Sequence, residues 1–413
     1  MMLQSLVSPE SRPRVPPPSE FAPVSPPIRV CHLGKYYPPA PGGIESHVRI
    51  LARAQADLGA DVGVFCVNHE AGPTIEERDG PVRVTRFGRA ASVAKLDICP
   101  DLVAGLRRVQ ADILHMQVPN PTMILGLLAA RPRQPVVVTY QSDVIRPRSL
   151  AALFRPLERL AYRRVRVILS TSPTYAAGSR FLRPYRNRLH VLPNGIDLEP
   201  YSSPSPEDQA KAERILGAHP GPLWLGVGRL IYYKGFLNAV RALPRVPGTL
   251  LLVGDGPDEP ALRAEAARLG VLDRIVFLGA MPYQQVVPYY LAAKALWFPS
   301  NARSEAFGIV QVEAMASGCP VINTAIPHSG VPWVSRHEET GLTVPVDDPA
   351  AFAAAAVRLL TEPGLRDRLA AGARARAIAE FHCEAMGRRS LALYSATLAA
   401  SRRGSGAGAP RNT

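Results

Sequence analysis

The sequence predicts an α/β protein made of two doubly wound, Rossmann-like domains, each built on a parallel sheet. Three observations carry that prediction. Short β-branched runs alternate with single amphipathic helical stretches, the pattern of parallel strands joined by right-handed crossovers. The runs fall into two series separated by EPYSSPSPEDQ, a polar linker rich in Pro and Ser. A chain of 413 residues with 47% hydrophobic content is long enough for two cores of about 150 to 200 residues each.

Residues 1–27 hold eight prolines and read as a disordered leader. The first domain is expected over 28–198. Its strands are IRVCHLG (28–34), DVGVFCV (61–67), PVRVTRF (81–87), ADILHMQ (111–117), PVVVTYQ (135–141), VRVILS (165–170) and RLHVLP (188–193). The second domain is expected over 199–380, with strands LWLGVG (223–228), TLLLVG (249–254), RIVFLG (274–279), ALWFPS (295–300) and PVINT (320–324). Residues 381–400 read as a C-terminal helix packing back on the first domain, and 401–413, SRRGSGAGAPRNT, as a disordered tail. Ligands of such sheets bind beyond the C-terminal ends of the strands, here in a cleft between the domains.

The net charge of +14 is unevenly spread. Between Val144 and His190 stand Arg146, Arg148, Arg155, Arg159, Arg163, Arg164, Arg166, Arg180, Arg183, Arg186 and Arg188 against one acid, Glu158. Such a face suits a polyanion, an anionic membrane surface or a phosphorylated ligand. Nucleic acid is not expected, because no finger spacing, helix-turn-helix signature or aromatic-interleaved basic motif accompanies the charge. The five cysteines lie far apart without metal-ligand spacing, which points to a reducing compartment and no structural metal. The longest apolar block, TMILGLLAA, is about half of what spans a bilayer, so a cytoplasmic protein is expected.

Strand ends carry the chemistry. In KYYPPAPGGIESHV, Gly42 and Gly43 open a helix whose apolar face reads Ile44, Val48, Leu51 and Leu58; glycine admits a ligand to the backbone, and helix-start N–H groups favour an anion. GRLIYYKG supplies Arg229 and Lys234, a fork and a point charge suited to one diphosphate. It is no Walker loop, and GDGPDE (254–259) lacks the third glycine of a dinucleotide fingerprint. EAFGIVQVE (305–313) sets two carboxylates around an uncharged stretch. Glu305 precedes a turn, Phe307, Gly308 and Ile309 offer helix-start N–H groups, and Glu313 lies further along the helix.

The combination GRLxxxKG, GDGP after a strand, FLG and FPSxxxSEAFGxxxxEAMASGCPV, with PNGID and PPxxGGxExHV, resembles the retaining glycosyltransferases of family 4, which have the GT-B fold. The resemblance runs from about residue 28 to about residue 400. It implies transfer of a hexose from a nucleoside-diphosphate sugar to a glycan or lipid-linked acceptor, without cofactor or metal. The candidate catalytic residue is then Glu305, which with Ala306, Phe307, Gly308 and Ile309 meets the donor sugar. The resemblance also gives Glu313 the ribose, Arg229, Lys234 and Gly43 the donor phosphates, and Gly279, Ala280 and Met281 the base. Gln141, where many relatives carry His, and Asp143 fall on the acceptor side. HSGVPWV places Ser329 and Trp333 where a Gly and a Glu are usual, and points to a mannose-type donor in bacterial surface-polysaccharide or glycolipid assembly. No D-x-D motif stands near these residues, Asp347 and Asp348 being assigned to a distal loop. A sugar-nucleotide epimerase of the same architecture would share the basic phosphate contacts, but the paired glutamates with GRLxxxKG favour transfer. A basic, non-catalytic polyanion binder is the remaining alternative. With no spanning segment, work on a lipid-linked acceptor implies a peripheral place on the inner face of the membrane.

Overall fold

In the computed structural model, which describes residues 27–40, 42–93, 96–141 and 148–406, the first series of strands forms one eight-stranded sheet. Its members are β1 (Arg29–Leu33), β2 (Asp61–Val67), β3 (Ile75–Asp79), β4 (Val82–Phe87), β7 (Ile113–Val118), β8 (Val136–Tyr140), β9 (Val165–Ser170) and β10 (Leu189–Val191). Between β4 and β7, β5 (Ala91–Val93) and β6 (Leu96–Ile98) pair with each other, antiparallel. The sheet order is β10-β9-β8-β7-β1-β2-β4-β3, parallel throughout except for β3. Every residue of β7 and β8 is buried, as expected of central parallel strands with both faces covered. β3, IEERD, is an exposed edge whose charges discourage further pairing.

This sheet belongs to a unit formed by the chain up to Gly195 together with the segment from Cys383 onward. The helix Gly43–Asp57 buries Val48 and Leu51, as its periodicity suggests, while Ile44 and Leu58 are only half-buried. His47 and Gln55 share the buried face. The C-terminal helix, Cys383–Gly406, lays Met386, Leu391 and Tyr394 into the same core as Val30, Leu51 and Ile113.

The second unit, Ile196–His382, holds a six-stranded, all-parallel sheet. Its strands are β11 (Leu223–Val227), β12 (Thr249–Val253), β13 (Ile275–Gly279), β14 (Ala295–Phe298), β15 (Val321–Thr324) and β16 (Gly341–Val344), in the order β13-β12-β11-β14-β15-β16. The core is anchored by Trp224 and Trp297, stacked 5.2 Å apart on β11 and β14, with Phe352 edge-on to Trp297. The strand order reverses between β11 and β14, and in the first unit between β1 and β7. At such switch points the connections leave in opposite directions and open a crevice beyond the strand ends.

Candidate active site

Two loops flank the switch point of the second unit. After β11 the chain passes through Arg229 into a short turn, Tyr232–Lys234. After β14 it runs through Ser300 to Glu305 before the helix Ile309–Ala316 begins. Gly235, at φ 67°, joins the loops, because a Cβ there would lie 2.1 Å from the carbonyl oxygen of Pro299. That approach brings the Lys234 ammonium to 2.6 Å from Glu305 Oε2, with the two side chains only 13% and 11% exposed. Ser300 Oγ donates to the same carboxylate oxygen at 3.3 Å. The Lys234 ammonium also stands 5.3 Å from the centre of the Phe298 ring. Arg229, exposed, donates to the Tyr233 hydroxyl at 3.2 Å.

The Glu305 loop is fixed from below. Ser329 Oγ donates to the Glu305 carbonyl, and the Gly330 N–H donates to the Ala306 carbonyl at 2.9 Å. Ala306 and Phe307 are buried, so what they present outward is backbone. Gly308 takes φ 74° with no room for a Cβ, which would lie 2.6 Å from the Phe298 ring. Ile309, half-buried, opens the helix, whose first N–H groups have no partner within it. Gln311 is fully buried, donates to the Phe307 carbonyl at 2.8 Å and accepts from Asn323 Nδ2 at 2.9 Å. Trp333 stacks under the Arg376 guanidinium and meets Phe381, against which Phe307 also packs.

One helical turn on, Glu313 is 9% exposed and accepts from the Tyr290 hydroxyl at 2.8 Å. Burial pushes its carboxyl up to about 7, against the opposing pull of Tyr290, Lys234 and Tyr201. Gly279 ends edge strand β13, Ala280 and Met281 follow it, and all three remain at least partly exposed; the Gly279 carbonyl accepts from the Gly254 N–H at 2.8 Å. Asp347 is not distal. Its Oδ1 accepts from Asn238 Nδ2 at 2.7 Å and Asn301 Nδ2 at 2.8 Å, because β16, which precedes it, runs parallel to β14 two strands away, so the loops after both leave the same end of the sheet. Asp348 instead caps the helix Pro349–Thr361. Among the described residues no three His, Cys, Asp or Glu side chains converge as metal ligands would.

In the first unit, Gly43 is the first residue of the helix that follows β1, and a Cβ added to it would meet nothing within 4 Å. Gln141, just past β8, is buried and donates to Gln117 Oε1 at 3.1 Å. Behind it lies a polar interior. His115 bonds Thr139 at 2.7 Å and the Tyr394 hydroxyl at 2.6 Å, while Gln55 bonds His32, Ser390 and Tyr394. Burial depresses all three histidines there, His32 to about 4, His47 to about 3 and His115 well below the usual range. Asp143 lies outside the described residues. Two cavities, of about 500 Å³ against β1, β2 and β4 and about 240 Å³ beside Asn238 and Asp347, are lined by neither glutamate.

The sequence matches two family descriptions in succession, the glycosyl transferase 4-like domain over residues 42–195 and the glycosyl transferases group 1 over residues 208–376. The chain belongs to the group 1 glycosyl transferases. Among its relatives is the D-rhamnosyltransferase WbpZ of Pseudomonas aeruginosa, 33% identical over 84% of this chain and 91% of that one. The O-antigen chain mannosyltransferase C of Escherichia coli is 30% identical over 79% and 86%. The phosphatidyl-myo-inositol mannosyltransferase of Mycobacterium leprae is 31% identical over 84% and 92%. Of solved structures, sucrose-phosphate synthase from Thermosynechococcus elongatus matches with TM-score 0.72 and 26% identity over 90% of this chain and all of that one. Anabaena HepE in complex with UDP matches with TM-score 0.71 and 20% identity over 89% of this chain and 100% of that one. The fold is GT-B, with two Rossmann-like halves.

In this group 1 glycosyl transferase, Lys234 and Glu305 are brought into direct contact, whereas Arg229 stands apart on Tyr233. Tyr290, Tyr201, Gln311 and Asn323 were not legible as site residues. Tyr290, Gln311 and Asn323 sit in runs that read as core and Tyr201 in the polar linker, so none is marked by its surroundings in the sequence. Ser329 was legible as a departure, but its bond to the Glu305 carbonyl was not.

Proposed function

We propose that the chain is a retaining hexosyltransferase, independent of divalent metal, that moves a mannose-type hexose from a nucleoside-diphosphate sugar to a glycan or lipid-linked acceptor of bacterial surface polysaccharide or glycolipid synthesis. The observation that carries this reading is the Lys234–Glu305 pair, nearly buried at a sheet switch point. Breaking the bond between an anomeric carbon and a diphosphate builds negative charge on the departing phosphate and positive charge on the sugar. Lys234, Arg229 and the first-turn N–H groups of the Ile309–Ala316 helix answer the first charge, doing the work a metal ion would otherwise do. Glu305, the catalytic residue in this reading, answers the second and holds sugar hydroxyls beside the Ala306–Ile309 backbone. Glu313 takes the ribose, the edge at Gly279 to Met281 the base, and the Gly43 helix start a further phosphate contact. By analogy with the family the sequence resembles, the departing phosphate itself takes the acceptor proton; Gln141 carries no charge to exchange. Relatives named for rhamnosyl, mannosyl and O-antigen transfer support the donor class and the pathway.

No helix of the described residues is long and apolar enough to cross a membrane. The helix Arg148–Tyr162 exposes Leu157 (39%) and Leu160 (47%) beside exposed Arg155, Arg159 and Arg163. That mixture of apolar and basic side chains suits reversible docking on an anionic leaflet from the cytoplasmic side. The test is thermal shift against a panel of UDP-, GDP-, dTDP- and ADP-sugars, followed by turnover in excess EDTA. A GDP-mannose-type donor should raise Tm, and turnover should survive chelation. If no nucleoside-diphosphate sugar raises Tm, the reading fails; a requirement for added magnesium would remove the metal-free part of it.

A further inference from the structure

We infer that Tyr290, supported by Tyr201, is a positioning residue for Glu313: its phenol favours the ionised carboxylate and aims it so that both ribose hydroxyls of the donor can be accepted, and donor binding is therefore proton-linked. The inference rests on the reading of Glu313 as the ribose contact. Tyr290 comes from the helix Val287–Ala292, is 1% exposed, and donates a hydrogen bond to Glu313 Oε2 at 2.8 Å. Tyr201, from the helix Glu199–Ser202, is almost as buried and stands edge-on to Tyr290 with ring centres 6.2 Å apart, and the Glu313 carboxylate is among the neighbours that raise its phenol.

The chemistry follows from these contacts. A ribose diol presents two O–H donors, and an ionised carboxylate accepts both where a protonated one must spend an oxygen on its own proton. Burial alone opposes that ionised state. Burial and the adjacent carboxylate push both phenols far up, so each keeps its proton and donates wherever an enzyme works. Lys234 is the cation that faces Glu313, and its ammonium is shared with Glu305. From the neighbouring helix Leu365–Phe381, Arg374 reaches only the Ser317 carbonyl, a turn away. With the carboxyl near 7, the empty site at neutral pH is a mixture, and ribose binding draws it to the ionised form with release of a proton.

Tyr290→Phe keeps the ring and removes the donor. Dissociation constants for UDP and GDP, and for their 2′,3′-dideoxy counterparts, are measured by calorimetry from pH 6 to pH 9. The phosphates ionise alike in ribo and dideoxy ligands, so the ratio between them isolates the diol. In the wild type that ratio should favour the ribonucleotide and fall below about pH 7. In Tyr290→Phe the preference should drop about tenfold at pH 7, the scale of one hydrogen bond to a charged group, and return as pH rises. Tyr201→Phe should act in the same direction with a smaller effect, which keeps the inference testable if Tyr290→Phe folds poorly. If Glu313→Ala abolishes the preference but neither phenylalanine variant changes it, the positioning role is wrong and the ribose reading stands. If Glu313→Ala leaves the preference unchanged, both fall.

Discussion

Glu305→Gln separates what the carboxylate does for binding from what it does for turnover. In the native protein the Lys234 ammonium is 2.6 Å from Glu305 Oε2, and both side chains are nearly nine-tenths buried. Removing one charge from such a pair leaves the other uncompensated, which costs about 3 kcal/mol or more when nothing replaces it. Gln keeps an oxygen in place as an acceptor, so the loss should lie nearer 1 to 2 kcal/mol, or a fall of a few degrees in Tm. The consequence for ligands runs the other way. Lys234, no longer neutralised by its neighbour, meets an incoming diphosphate with its full charge, so a bare nucleoside diphosphate should bind as well as before or severalfold tighter. Turnover should fall by about 10² or more, the scale of losing one group positioned for the transition state. Calorimetry with UDP and GDP, alongside initial rates with the donor identified by thermal shift, reads both quantities on one preparation. Near-normal turnover would refute the reasoning. Loss of nucleotide binding in proportion to loss of rate would also refute it, because Glu305 would then be needed to build the phosphate site rather than to act on the sugar.

Four further outcomes follow from the same geometry. Alanine at Arg229 and at Lys234 should each weaken nucleotide binding, and the double variant should be less than additive; strict additivity in the cycle would assign them to different ligand groups. Gly43→Ala should leave the melting temperature unchanged, since its Cβ meets nothing within 4 Å, yet lower kcat/KM; unchanged kinetics would free that helix start from any phosphate contact. Buried His32, His47 and His115 are held neutral, so the unfolded chain takes protons first as pH falls. Stability should be full above about pH 6.5 and drain away toward pH 4, by about 3 kcal/mol for His32 alone, whose pKa comes down to about 4; a Tm flat between pH 7 and pH 5 would contradict that. Vesicles of anionic lipid should sediment the protein at low salt and release it at high salt, and equal sedimentation with neutral vesicles would discard the electrostatic docking.

What was legible in the sequence follows from how strongly burial marks each residue. The central strands read as largely apolar runs, so ADILHMQ and PVVVTYQ found β7 and β8 to within two residues at each end. IEERD gave no such signal, because β3 is an exposed edge and exposure leaves no apolar alternation. The short GLTV strand, β16, and the β5–β6 pair were missed for want of length. In the site, Glu305 and Glu313 stood out because charged residues are rare in buried segments, and the cations of GRLIYYKG because glycines frame them. Their partners did not stand out. A buried Tyr or Gln looks like any core residue until the group it serves is known, and Tyr290 and Gln311 serve groups in other elements or across a turn. His32 and His115 lie in strands recognised for their apolar neighbours, and the contact that joins them to Tyr394 crosses 279 residues of chain between His115 and Tyr394. Asp347 was misplaced for a related reason: sheet order, not chain distance, sets it beside Asn301.

The proposed reaction transfers a hexose from a nucleoside-diphosphate sugar with the anomeric configuration kept. Proton NMR of the product formed from an α-linked donor, followed from the first minutes of reaction before any mutarotation of released sugar, tests it most directly. An α-glycoside of the acceptor should appear in step with nucleoside diphosphate, in the wild type and not in Glu305→Gln. A β-glycoside would contradict the proposed stereochemistry, and α-glycoside produced equally well by Glu305→Gln would contradict the assignment of the reaction to this site.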